Sequence, residues 1–408
     1  MKRTLKRITP GFLISFYHFF LSFLGALRYG FPSKRITVVG ITGTNGKTTT
    51  VDLIRRILEQ KDKTASASSI EFRIGENAKE NKLKMTMPGR FFLQKFLRKA
   101  VKEKCKYAVL EVTSEGVLQH RHRFIDFDVA VFTNLSPEHI ERHGSFENYR
   151  EAKGKFFKKV KGVHIINLDD ENSGYFLQFP CQKKIGYSAK ENPKAVTASN
   201  IKALQKGISF WVQHVNFELN LVGKFNVYNA LAAICVGSAF DISLEKCKKA
   251  LERAQGIPGR MEQIFLTNFK VVVDYAFTPN ALKQVYETLG ESLVCVLGAC
   301  GGGRDKWKRK VLGQIADRHC SKVIITNEDP YDEDPWEIIK QVGEGSQKAE
   351  KILDRREAIS KALSSAKHGD TVVITGKGCE PWICVANGKK IPWDDRKVVR
   401  QEAEKLGI

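Results

Sequence analysis

The sequence predicts an α/β protein of two lobes, each built on a mainly parallel sheet. Three observations lead there. Apolar, β-branched runs alternate with helical periods along the chain, the pattern of parallel strands covered by helices. One such run, Ile36–Ile41, enters a short glycine-bearing loop that opens into an amphipathic helix. A Pro/Gly-rich stretch, Gly256-Ile-Pro-Gly-Arg260, then separates two such series.

Taken in order, the first series reads as strands at Ile36–Ile41, Tyr107–Val112, Val129–Thr133 and Val163–Asn167. The helix after the first strand turns Val51, Leu53, Ile54, Ile57 and Leu58 inward. From about Lys183 to Leu221 the pattern shortens and alternates, as small antiparallel strands do, and a helix follows from Asn226. The second series comprises Val271–Asp274, Leu293–Leu297, Lys322–Thr326 and Thr371–Thr375. The expected division is a basic, apolar N-terminal helix (1–35), a central domain with a phosphate-binding loop (36–257) and a smaller, Rossmann-like C-terminal domain (258–408). At 408 residues and 42% hydrophobic, the chain can bury two ordinary cores.

A net charge of +22 points to an anionic partner: nucleic acid, an anionic membrane surface or a polyanionic substrate. No nucleic-acid signature accompanies it, so no nucleic-acid partner is expected. The nine cysteines include no CxxC pair, which argues against a zinc ribbon or disulfide framework and suits a reducing cytoplasm. At the N-terminus, Lys2, Arg3, Lys6 and Arg7 precede the aromatic-rich run Phe12–Leu27, with Arg28 and Lys34 after it. The run is short for a membrane span and lacks a signal-peptidase site. Two readings stand beside a span: an interfacial helix on an anionic leaflet, or a helix packed on the fold with its aromatics in the core.

The loop Thr42–Thr49 carries the first chemistry. Gly43 and Gly46 let backbone N–H groups turn toward phosphate, Lys47 would reach the terminal phosphates, and Thr48 would hold a magnesium ion. Ile41 stands where the strict Gly-x-x-x-x-Gly-Lys-Ser/Thr motif has its first glycine. Glu111, at a strand's carboxyl end, suits Mg²⁺ beside phosphates, and His139 follows the next strand on the same edge. Lys153 reads as an ordinary helix lysine from composition alone.

These segments occur in order with Glu111-Val-Thr-Ser-Glu-Gly116, Gln119-His-Arg121, Thr133-Asn-Leu-Ser-Pro-Glu-His139, His143-Gly144, Glu151-Ala-Lys153, Gly223-Lys-Phe-Asn-Val-Tyr-Asn229, Pro258-Gly-Arg-Met-Glu262, Asp274-Tyr-Ala276, Gly301-Gly-Gly-Arg-Asp-Lys306, Asp354-Arg355 and Gly376-Lys-Gly-Cys-Glu380. Together, over roughly residues 36–400, the set resembles the Mur ligase family, and within it the branch that adds the third residue of the peptidoglycan stem peptide.

The resemblance implies an ATP- and Mg²⁺-dependent cytoplasmic ligase. Such an enzyme joins an amino acid to UDP-N-acetylmuramoyl-L-alanyl-D-glutamate, or a related carrier-linked acceptor, through an acyl phosphate. It assigns ATP to Gly43, Thr44, Asn45, Gly46, Lys47, Thr48 and Thr49, with Asn226 and Asn229 beside the adenine and Arg260 reaching in from the linker. Catalysis falls to Lys47, Glu111, His139 and Lys153. Metal binding falls to Thr48, Glu111 and His139, with Lys153 carbamylated at a second Mg²⁺. The acceptor falls to Thr86, Thr113, Gln119 and Arg121, and the incoming amino acid to Arg304, Glu328, Asp329, Tyr331, Gly376 and Glu380. A monomer is expected.

Three departures qualify it. Only about 35 residues precede the phosphate loop, so the family's uridine-diphosphate-gripping domain is expected to be missing. The motif Asp-Asn-Pro-Arg of diaminopimelate-adding members is Glu328-Asp-Pro-Tyr331, which leaves a lysine-like or other amino acid open. The cluster Glu328, Asp329, Asp332, Glu333 and Asp334 could draw a cationic side chain or form a solvated loop, the latter preferred. Family histidines are replaced by Phe277, Cys379 and Glu115. A folylpolyglutamate-synthase-like glutamate ligase and a non-catalytic, membrane-associated ATP-binding scaffold remain the competing readings.

Overall fold

Strand pairing changes partners at the Pro/Gly stretch, so residues before and after it build separate sheets. The structure is a computed structural model that describes residues 11–204 and 206–408. Among these, the first sheet has eleven strands. Its centre is Thr37–Thr42, flanked in parallel by Tyr107–Glu111 and Val129–Phe132. Ile41 lies opposite Glu111 and Val131, so the phosphate loop, Glu111 and Thr133 all leave the sheet at one carboxyl edge. The helix Lys47–Leu58 buries the five apolar residues expected of it, against a core that also takes in Phe225–Ala239.

The second sheet has six strands, of which Lys270–Val273, Thr371–Ile374, Leu293–Leu297, Lys322–Ile325 and Ala349–Lys351 run parallel in that spatial order. Glu262–Phe265 adds an antiparallel edge. The predicted strands are therefore present, with ends shifted by a residue.

Residues 183–219 correct the sequence reading. Lys183–Ser188 and Ala195–Leu204 extend the first sheet in parallel, and only Gly207–Val212 and Val215–Leu219 are antiparallel. Short alternating strands reveal one buried face but not the direction of their partner. The cysteine expectation also needs amending: Cys295 and Cys320 are bonded, while the other seven are free. Cys320 leaves the helix Lys308–His319 directly beside the strand Leu293–Leu297, a proximity invisible in the 25-residue spacing.

The N-terminal helix spans Gly11–Tyr29; Lys2, Arg3, Lys6 and Arg7 lie outside the described residues. Its aromatics do not enter the core: Phe12 is 71% and Phe16 66% exposed, while Ser22, Gly25 and Ala26 are buried.

Close packing at the central strand gives a first prediction. A Cβ on Gly40 would sit 2.5 Å from Cζ of Phe156 and 2.8 Å from Cδ1 of Phe127. Gly40→Ala should therefore cost about 1–3 kcal/mol through overpacking. Urea or thermal melts would read this as a lower midpoint; an unchanged midpoint would show that the phenylalanines yield freely.

Candidate active site

Two glycines let the phosphate loop take its shape. Gly43 has φ 152°, and a Cβ there would lie 1.9 Å from Oγ1 of Thr133. Gly46 has φ 81° just before the helix, with Oδ1 of Asn229 2.4 Å from its would-be Cβ. The neighbouring loop clamps this turn. The N–H of Asn45 donates to Oδ1 of Asn134 at 2.9 Å, that of Thr44 donates to the Asn134 carbonyl at 2.9 Å, and the Thr133 hydroxyl donates to the Asn45 carbonyl at 2.8 Å. The Lys47 ammonium folds over the loop, donating to the carbonyls of Thr44 at 2.8 Å and Gly43 at 3.1 Å. Burial lowers its pKa, and Glu111 opposes that.

The Thr48 hydroxyl donates to Oε1 of Glu111 at 2.8 Å, and the N–H of Ser69 donates to the same oxygen at 2.9 Å. A hydroxyl beside a carboxylate is the hard oxygen pair that Mg²⁺ takes, so these residues fit the metal. His139 lines the same cavity, in the left-handed region at φ 58° before a short helix. Burial, then the nearby Arg304, pushes its pKa down to about 2, so it is neutral. Among the described residues no three His, Cys, Asp or Glu side chains gather into a ligand cluster, while Glu111 and His139 line one cavity.

Lys153 is fully buried, and its Nζ donates to the Gly43 carbonyl at 2.7 Å. Burial and then Lys47 hold its pKa well below the usual lysine value. Both effects favour the neutral amine, the form that can react with carbon dioxide.

The second lobe closes the cavity. Arg260, Tyr275, Thr278 and Arg304 line it together with Lys47, Glu111, Asn226 and Asn229. Nδ2 of Asn229 donates to Oδ1 of Asn226 at 2.9 Å, and Arg260 stacks over the Tyr275 ring at 4.3 Å. Across the lobes, Thr278 donates to Oδ1 of Asn45 at 3.4 Å, and Lys308 pairs with Glu138 at 2.7 Å. That ion pair is buried at both ends. Glu138→Ala would strand the Lys308 ammonium and should cost about 3–5 kcal/mol in a chemical melt, whereas Glu138→Leu with Lys308→Met should restore most of it. Equal losses in the single and double variants would show that the pair does not hold the lobes.

A connected recess is lined by Thr86, Arg304, Glu328, Asp329, Tyr331 and Glu380. Glu328 and Asp329 are buried, Glu333 pairs with Arg309, and Asp334 caps a helix. The acidic cluster is therefore not the solvated loop preferred from sequence: of its five carboxylates only Asp332 and the capping Asp334 are exposed. Lys377 donates to Asp329 at 2.9 Å, and Lys84 crosses from the other lobe to Asp329 and, at 3.1 Å, to Glu380. Glu380 and Asp329 raise the Lys84 pKa against the pull of burial. Gly376 leaves room for Glu328, whose Oε2 would lie 2.4 Å from a Cβ there.

Two expected acceptor residues are not in either lining. Nη2 of Arg121 donates to Oε1 of Gln119 at 2.7 Å and its Nη1 to the carbonyl of Met87, which precedes the helix Arg90–Lys102. Thr86 and Thr113 do line the main cavity, and Thr113 also caps the helix Ser114–Leu118. Burial pushes the Cys379 thiol up, consistent with no nucleophilic role. Sequence reasoning missed Lys84, Ser69, Tyr149 and Lys308. Lys84 had no signal at all, since its partner Asp329 stands 245 residues away.

The chain is similar to known proteins in both sequence and fold. The family description "Mur ligase middle domain" matches residues 41–237, and "Mur ligase, glutamate ligase domain" matches residues 259–378. A UDP-N-acetylmuramoyl-L-alanyl-D-glutamate–2,6-diaminopimelate ligase of Syntrophomonas wolfei is 39% identical over 403 residues, which cover 93% of this chain and 81% of that protein. A solved structure of a ligase of the same name is 33% identical with a TM-score of 0.62, covering 91% of this chain and 79% of that one. Folylpolyglutamate synthase of Mycobacterium tuberculosis has a TM-score of 0.71 at 17% identity over 86% of this chain and 91% of that one, a likeness of fold alone.

Proposed function

The chain belongs to the Mur ligase family, and from that premise we propose that it is an ATP-dependent peptide ligase of peptidoglycan precursor synthesis. It adds an amino acid to UDP-N-acetylmuramoyl-L-alanyl-D-glutamate or a related carrier-linked acceptor. The observation that supports this most is the single cavity in which the loop Gly43–Thr49, Glu111 and Lys153 face Arg260 and Arg304 across the lobes. One chain supplies the full set, so a monomer suffices. A cytoplasmic site follows from the need for ATP and a nucleotide-linked precursor. The lobes are taken as 36–257 and 258–408, hinged at the Pro/Gly stretch.

The acceptor's carboxylate is a poor electrophile. Transfer of the terminal phosphoryl group of ATP to it forms an acyl phosphate and ADP. The amino acid's amine then attacks the carbonyl carbon, a proton is lost, and phosphate leaves as the amide forms. Lys47 offsets charge on the moving phosphoryl group, and the loop's N–H groups orient it. Thr48 and Glu111 would hold Mg²⁺, which supplies further charge neutralisation to phosphate oxygens when bound. A carbamylated Lys153 would present a carboxylate to a second such ion. Asn226 and Asn229 would border the adenine, while Arg260 and Arg304 bring positive charge from the closing lobe and help exclude water from the acyl phosphate. Thr86 and Thr113 would face the acceptor. The Glu328–Tyr331 segment with Gly376 and Glu380 would receive the amino acid.

The test is incubation with ATP, Mg²⁺, the UDP-linked dipeptide acceptor and a panel of amino acids, with ADP measured and products weighed by mass spectrometry. A product heavier by one aminoacyl residue, with one ADP per amide, is expected. ATP bound without acceptor-dependent ADP release would favour the scaffold reading and overturn the ligase.

A further inference from the structure

We infer that the outer face of the helix Gly11–Tyr29, together with a basic cluster at its C-terminal end, docks on an anionic phospholipid bilayer. The helix is amphipathic in the reverse of the usual sense. Its inward side is mostly small and polar, and Phe19 and Phe23 set their rings against the folded body, at Phe124. The Ser15 hydroxyl meets Nε2 of His120 at 2.8 Å, and the Ser22 hydroxyl donates to the His120 carbonyl at 2.8 Å. Gly25 lets the backbone approach the start of the helix Arg90–Lys102, where a Cβ would still lie 3.6 Å from the Arg90 carbonyl. The outward side carries Phe12, Phe16, Tyr17 and Phe20, exposed by 71, 66, 57 and 47%. A helix kept only to brace the fold would turn these rings inward, because their burial is what stabilises such packing. A contiguous aromatic face left in water marks an interaction site.

Charge identifies the partner. Arg28, Arg35, Lys95, Arg98, Lys99 and Lys102 line one concavity beside that face, and among the described residues none of them forms an ion pair with a carboxylate. Rings entering the headgroup boundary beside free cations are the arrangement that anionic lipid binds. A second copy would set like charges against each other. A membrane span would have to break the Ser15, Ser22 and His18 bonds to the folded body, His18 Nδ1 lying 2.6 Å from Nη2 of Arg90. Arg90 also donates to the Gln119 carbonyl at 3.2 Å, so docking would lay the loop of Gln119 and Arg121 close to the lipid surface. The inference stands whether or not the ligase reading does.

Vesicle co-sedimentation of the full chain tests it. The protein should bind phosphatidylcholine vesicles containing about one-third phosphatidylglycerol at least about tenfold more tightly than phosphatidylcholine alone, and salt should weaken that binding. Lys95→Glu with Lys99→Glu should remove about tenfold or more of the preference. Phe16→Ser with Phe20→Ser should abolish the binding that persists at high salt, and both double variants should melt as the parent does. No binding, binding blind to lipid charge, sedimentation without vesicles, or resistance to alkaline carbonate would each overturn the proposal, the last two in favour of self-association or a span.

Discussion

Lys47→Ala should lower acceptor-dependent ADP release by about 10²–10³-fold, the range seen when one preorganised charge-stabilising group is removed from a phosphoryl- or acyl-transfer site. Among the described residues the ammonium bonds only to the carbonyls of Gly43 and Thr44, at the first residue of the helix Lys47–Leu58. Alanine is the best helix former, and removing a buried ammonium relieves its desolvation, so the melt should not fall. The loss should appear in turnover and in ATP affinity together, because Lys47 would touch phosphate before and during transfer. A drop of less than about tenfold in a normally folded variant would remove Lys47 from the phosphate site.

Lys153→Ala should reduce turnover by about 10²-fold, and a small carboxylate such as formate should restore part of it. The side chain is buried near a cation, and both circumstances favour the neutral amine. A neutral amine attacks carbon dioxide, forms a carbamate and releases a proton. Carbamate formation is therefore favoured as pH rises, and added bicarbonate should raise the parent enzyme's rate at the low-pH end of its profile. If Lys153 acted only through its 2.7 Å bond to Gly43, the variant would show weaker ATP binding with no recovery by formate. That pattern would exclude the carbamate.

The phosphate loop was legible because its chemistry is local. Strand, glycines, lysine and helix follow one another in the segment Thr37–Leu58, and short-range sterics dictate the turn. Glu111 was legible for a related reason: a carboxylate ending an apolar run must emerge at the carboxyl edge of a parallel sheet. The Lys84–Asp329 and Lys308–Glu138 pairs were not, since each joins residues that meet only when the lobes close. The acidic run at Glu328 misled for the same reason. Carboxylates adjacent in sequence read as solvated, yet Lys377 and Lys84 arrive from distant segments to neutralise Asp329.

The amino-acid sequence by itself determined the alternation of strands and helices, the phosphate loop and the membership in a ligase family, because each of these is written in local periodicity and short motifs. Only the tertiary structure decided which way the N-terminal aromatics face, which strands of residues 183–219 run parallel, and which lysines cross the cleft. Those outcomes depend on what the rest of the chain places opposite a residue, and packing and electrostatics act through space without regard to spacing along the chain.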